Sequence, residues 1–203
     1  AAAGGADAPQ AEAGAGGGGG FGRGGGGVAT RVTKNAGMNR VVWDLRGQNG
    51  LTLPPATYQA RLTVEGSQPM TQPITVLIDP RIAAEGVTNA DLVEQYEHNV
   101  KMRELQADVT ATLARVNTAR GRLQNATGAD ASKAKALDAI RDKFIVTPEN
   151  VRYGKPGLQE HVQYLAGMTA NTDMKIGRDA IARYAELKKE LDAIKAELDK
   201  LGG

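Results

Sequence analysis

Between residues 28 and 79 apolar and polar side chains alternate along the chain. Val28, Thr30 and Val32 share one face of a predicted strand, and Val41, Trp43 and Leu45 share one face of the next. In a third, Tyr58, Ala60, Leu62 and Val64 point one way, and Gln59, Arg61, Thr63 and Glu65 the other. Ile74, Val76 and Ile78 repeat the pattern in a fourth, after a Gly66-Ser67-Gln68-Pro69 cluster that suits a turn. Strand side chains alternate with period two, so this stretch predicts antiparallel strands with one buried and one wet face.

The period changes after Asp79-Pro80. Thr88 or Asn89 can cap a helix, with Asp91 in its first turn favouring the positive end of the helix dipole. Leu92, Tyr96, Val100, Leu105, Val109, Leu113, Val116 and Leu123 then recur at spacings of three and four. They predict one amphipathic helix of roughly 35 residues, about 50 Å long. Asn125 to Gly128 ends it. A shorter helix from about Asp130 uses Leu137, Ile140 and Phe144, and Pro148 and the Tyr153–Gly157 stretch interrupt the pattern. A third helix carries Leu158, Val162, Leu165 and Met168. The last, from Thr172 or Asp173, aligns Ile176, Ile181, Tyr184, Leu187, Leu191, Ile194, Leu198 and Leu201. Four such stripes must bury one another, so the chain reads as α+β, an antiparallel sheet followed by an antiparallel, four-helix-bundle-like region over 81–203. Glu97 with Lys101, Asp179 with Arg183, and Lys188 with Asp192 are expected as ion pairs on solvated helix faces.

Residues 1–27 hold half of the chain's 26 glycines, mixed with alanine. With almost no apolar side chain to offset ordering entropy, they are expected to be a disordered linker. Phe21-Gly22-Arg23-Gly24-Gly25 resembles one copy of an RNA-binding RGG element, and a flexible linker accounts for it more simply. Lys plus Arg is 25 against 23 acidic residues, which lacks the basic excess of a dedicated nucleic-acid binder. No apolar run approaches the ~18 residues of a membrane span. The chain has no cysteine, which removes disulfides, thiolate nucleophiles and zinc–cysteine sites. It does not begin with Met, and the expectation is a processed product or fragment.

No catalytic constellation accompanies these elements. His98 and His161 fall on different predicted helices, outside any metal-binding spacing, and are expected on helix faces. Glu94, Glu97 and His98 lie within about one helical turn, but no second Glu-x-x-His completes a di-metal site. The glycine run at 16–20 lacks the Lys-Ser/Thr of a phosphate loop. No cofactor is expected.

Gly37-x-Asn39-x-Val41-x-Trp43-Asp44, followed by Pro54-Pro55-Ala56-Thr57-Tyr58, resembles the immunoglobulin-like domain of flagellar hook-capping proteins. A fuller likeness adds Gln72-Pro73-Ile74-Thr75-Val76-Leu77-Ile78-Asp79-Pro80-Arg81 and the helix start Thr88-Asn89-Ala90-Asp91-Leu92. In this order the segments resemble the C-terminal region of exported bacterial β-propeller proteins with sortilin-like BNR (Asp-box, WD40/YVTN-like) repeats, often labelled glycosyl hydrolases. No Asp-box occurs in this chain. The resemblance implies a partial immunoglobulin-like module over 28–80, export, and an upstream propeller of the same protein as partner. The function it implies is that of a non-catalytic accessory module, giving structural support or docking a protein partner. Two alternatives stand beside it: the supporting region of a glycosyl hydrolase whose catalytic site lies upstream, and a helical interaction protein.

The motif residues Gly37, Asn39, Trp43, Asp44, Pro55, Tyr58, Asp79 and Pro80 are expected to be structural. Trp43 would be the largest contributor to a small sandwich core, with Asn39 and Asp44 bonding turn backbone. Tyr58 would pack its ring and carry its hydroxyl to backbone, as in a tyrosine corner. The chain departs from the family at Ala56, where glycine is preferred; a positive φ there would cost about 1 kcal/mol. An immunoglobulin-like sandwich has about seven strands and only four are readable, so the first strands are expected upstream of residue 1.

Overall fold

A computed structural model describes residues 35–146 and 154–202. The expected linker at 1–27, the strand at 28–32 and the break at Pro148 lie outside the described residues. The chain is α+β: a two-stranded antiparallel sheet precedes a helical bundle.

Strand β1 (Thr57–Leu62) pairs with β2 (Met70–Thr75), Tyr58 facing Ile74, Gln59 facing Pro73 and Leu62 facing Met70. The stretch from Val41 to Leu45 is not a ladder strand. It turns through Gly47 and Gly50, and its strand-like pairing is limited to an isolated bridge from Arg46 to Thr52. Gly50 takes φ +73°, and Leu45 takes φ +60°, a left-handed conformation that is strained for a leucine. Ala56 keeps a negative φ, so its lack of glycine's freedom costs nothing there.

The helices are α1 (Pro80–Ala84), α2 (Asn89–Gly121), α3 (Ala129–Arg141), α4 (Leu158–Ala170) and α5 (Arg178–Lys200). The short α1 is absent from the periodic pattern because five residues are too few to show one. Asp79 caps it by accepting from the Arg81 N–H at 2.9 Å, and Pro80 fits its first turn. A reciprocal cap starts α2: Thr88 Oγ1 accepts from the Asp91 N–H at 3.1 Å, and the Asp91 carboxylate accepts from the Thr88 N–H at 2.9 Å. The last helix begins later than its apolar stripe, because Gly177 is the cap and Ile176 is buried ahead of it.

The four amphipathic segments make three columns rather than four. The N–H groups of Leu158 and Gln159 donate to the carbonyls of Lys143 and Phe144, each at 2.9 Å. Thus α4 stacks on the end of α3, satisfying donors that a helix start otherwise leaves open. Both pack on α2 and on α5. Gln95 and Asn99 near the start of α2 meet Thr169 near the end of α4, so those two run antiparallel. Asp108 with Lys195, then Arg115 with Asp199, step in the same direction along α2 and α5, which are therefore parallel. Met102, Leu105, Val109 and Val116 form one wall of the core. Leu137, Ile140, Phe144, Leu158 and Val162 from the stacked column, with Leu187, Leu191, Ile194 and Leu198 of α5, close it. Each such side chain contributes about 1.5–3 kcal/mol on burial.

Candidate functional site

The hairpin stands apart from this core. Among the described residues neither of its strands packs on a helix, and every strand residue except the half-buried Tyr58 is exposed. Its pleat places Tyr58, Ala60 and Leu62 on the same side as Ile74 and Met70. Leu62 is 44% exposed, Met70 56% and Ile74 40%, so an apolar sheet face lies open to solvent.

Trp43 closes one end of that face. Its ring meets Tyr58 edge-on, with centroids 5.5 Å apart and planes at 77°. The indole N–H donates to the Arg46 carbonyl at 3.2 Å. The expected sandwich core around Trp43 is not present among the described residues: with two paired strands no second sheet covers it, and it stays 37% exposed. The Tyr58 hydroxyl donates to the Pro54 carbonyl, four residues back. The Asn39 amide donates to the Asn35 and Gly37 carbonyls, each at 3.1 Å, around a turn where Gly37 takes φ +100°. Asp44 accepts from the Arg46 N–H at 3.1 Å. Pro55 stands in the connection leading into β1. Trp43, Pro54 and Tyr58 are thus brought together, while Gly37 and Asn39 form a separate turn. Asp79 and Pro80 serve α1 instead, where Arg81 forks onto the Asp79 carboxylate and its hydrogen bonds hold that carboxyl down to about 2.

The loop between Arg46 and Thr52 joins this lobe to the bundle. Leu51 is buried, and the Asn49 amide donates to the Tyr96 hydroxyl at 3.1 Å. A cavity of about 640 Å³ lies between loop and bundle, bordered by Leu51, Pro54, Arg81, Leu92, Tyr96 and Arg103. Its opposing charges are partly self-neutralised through the Asp79–Arg81 pair.

The buried polar residues of α2 are the part the apolar stripe misses. Gln95 donates to the Thr169 and Thr172 carbonyls, each at 2.7 Å, and accepts from the Met174 N–H at 3.1 Å. Asn99 donates to the Thr169 carbonyl at 3.0 Å and accepts from the Thr169 hydroxyl at 2.7 Å. These side chains satisfy carbonyls left open at the end of α4 and fix the turn into α5.

His98 is not on a solvated face. It is 5% exposed, its Nε2 has no hydrogen-bond partner among the described residues, and its ring lies edge-on to Tyr184, 6.0 Å away. Burial, reinforced by the Lys101 charge and opposed by Glu94, pushes its pKa below the ordinary value. Glu94 and Glu97 point to solvent, so they do not share a site with it, and His161 is half-buried on α4. No group of three or more His, Asp or Glu side chains that could hold a metal occurs among the described residues. Of the expected ion pairs, Lys188–Asp192 forms at 3.3 Å, whereas Arg183 turns to Glu186 at 2.8 Å instead of Asp179, and Glu97 and Lys101 do not pair. No described helix is long and apolar enough to cross a membrane.

The chain matches no protein-family model, no curated protein and no solved structure.

Proposed function

We propose that this chain is a non-catalytic accessory module of an exported BNR/sortilin-like protein. Its hairpin docks against the upstream β-propeller of the same polypeptide, and the helical bundle is the rigid body that carries it. The observation supporting this reading is the open apolar face of Leu62, Met70 and Ile74, with Trp43 at its end. A hydrophobic patch beside unpaired strand edges is the surface chemistry of a docking site. The motif order around Trp43, Tyr58 and Asp79-Pro80 supplies the choice of partner.

Comparison of the propeller protein with and without residues 28–203 tests the proposal. Removal is expected to lower the propeller's melting temperature or strip a bound partner. Unchanged stability together with unchanged co-purifying partners would overturn it. Hydrolytic activity in residues 28–203 alone would overturn the non-catalytic reading.

A further inference from the structure

The two edges of the hairpin differ in what they can receive. The Val76 N–H donates to the Ala56 carbonyl at 2.9 Å, in register with the pairs of β1 and β2. Bonded and non-bonded pairs alternate along an antiparallel ladder, so Tyr58, Ala60 and Leu62 bond towards β2. Thr57, Gln59 and Arg61 turn their main-chain groups outward, and no main-chain group among the described residues bonds to them. On β2 the outward residues are Thr71, Pro73 and Thr75, and Pro73 has no N–H to offer at the centre of that edge. An isolated two-stranded hairpin is marginally stable in water; a sheet that holds by itself has three or more strands and an apolar face. The bundle gives this hairpin no such support, because among the described residues neither strand packs on a helix.

We propose that β1 pairs with β1 of a second copy of this chain, antiparallel about a twofold axis at Ala60. The four-stranded sheet then runs β2, β1, β1, β2. In this register the edge is complementary to its own reversed image, which a twofold interface requires. Gln59 of each copy bonds Arg61 of the other through the main-chain groups that face outward. Arg61 thus stands opposite a neutral side chain and not opposite its own like charge. On the apolar face Tyr58 of each copy stands opposite Leu62 of the other, an aromatic–aliphatic pair repeated by the axis. The small Ala60 lies on the axis, where a non-bonded pair brings two strands closest. Leu62, open to solvent in the single chain, is covered. Both outer edges of the four-stranded sheet carry Pro73, so the assembly closes at two copies. The pairing uses the edge of the sheet, needs nothing from a propeller, and leaves Met70 and Ile74 on the face for docking.

Sedimentation equilibrium of the full chain over about a hundredfold range of concentration tests the pairing, and a monomer–dimer equilibrium is expected. Gln59→Pro removes an outward N–H and leaves the β1–β2 ladder its bonds, so the dissociation constant is expected to rise about tenfold or more. Thr71→Pro, on the already blunted β2 edge, is expected to leave it unchanged. In a mixture of isotope-labelled and unlabelled chains, an intermolecular NOE is expected between the α-protons of the two Ala60 residues, and this contact decides where either proline disturbs the hairpin itself. A chain that stays monomeric throughout overturns the proposal. So does a dimer that lacks the Ala60 contact, or one that Gln59→Pro leaves as tight as before. Slow exchange of the Gln59 and Arg61 amides in a monomer would also overturn it, by assigning the edge to another strand of the same chain.

Discussion

The side-chain amide of Gln95 donates at 2.7 Å to the main-chain carbonyl of Thr169, fastening the start of α2 to the end of α4. The same side chain bonds Thr172 and Met174, so one residue holds three backbone groups of the α4–α5 turn. Gln95→Leu keeps the volume and leaves all three unpartnered. The expected cost is about 2–3 kcal/mol, because buried polar groups lose their partners without regaining water. Urea unfolding followed by circular dichroism measures it; a change under about 0.5 kcal/mol would show that water reaches the turn.

Gly157 lies against the main chain of Phe144, where a Cβ would collide with carbonyl atoms that cannot move aside as a side chain can. Its φ is −84°, so the demand is for space and not for a left-handed backbone. Gly157→Ala is expected to push α4 off the end of α3 and cost about 2 kcal/mol or more. A melting temperature equal to that of the unaltered chain would contradict the end-to-end stacking.

His98 makes the bundle sensitive to acid. Its folded pKa is depressed below the ordinary 6.5, so between the two values the unfolded chain binds a proton that the folded chain refuses. Its contribution to stability is full above about 6.5 and declines as the pH falls from there towards the folded value. His98→Gln removes this titration, and its stability should fall less steeply than that of the unaltered chain from about pH 7.5 to 5. Parallel curves for the two proteins would show that His98 charges without penalty.

Trp43 is the single tryptophan, and it reports on the hairpin lobe alone. Neither strand packs on a helix, so little couples the lobe to the bundle beyond Leu51 and the Asn49–Tyr96 bond. Tryptophan fluorescence is expected to change at a lower urea concentration than helical circular dichroism. Coincident transitions would mean one cooperative unit.

Leu45 holds φ +60°, a conformation that costs a leucine roughly 1 kcal/mol. Leu45→Asn is expected to raise the stability of the lobe by several tenths of a kcal/mol, read from the fluorescence midpoint. A fall of about 1 kcal/mol would show that the half-open Leu45 side chain packs more than its exposure suggests.

What the sequence made legible follows from which forces act locally. The helical stripes were readable because Leu105, Val109, Leu187 and Leu191 recur with the helix period, and they are the core. Gln95, Asn99 and His98 were not, since a buried amide or imidazole has the same letters as a solvated one and only the partner across the bundle distinguishes them. The stacking of α3 on α4 was likewise hidden: two short helices with a loop between them look the same whether they lie side by side or end to end. In the lobe, alternation located β1 but set the next strand at Ile74–Ile78, whereas β2 runs Met70–Thr75, and it overstated Val41–Leu45, whose pattern fits a strand while its backbone turns away at Leu45 before a ladder forms. Trp43 and Tyr58 were each expected in structural roles of their own; their edge-on contact and their exposure were not legible, because both depend on which strands the sheet contains.

Pro73 also bears on what crowded copies of this chain do to one another. Ordered fibrous growth needs a strand pair that can be extended in both directions, so that each added chain presents a fresh template. A pair with one receptive side and one interrupted side accepts a neighbour and then stops. Pro73 has no N–H and stands at a position of β2 that bonds away from β1, so that side of the pair is interrupted at its centre and extension from it is disfavoured.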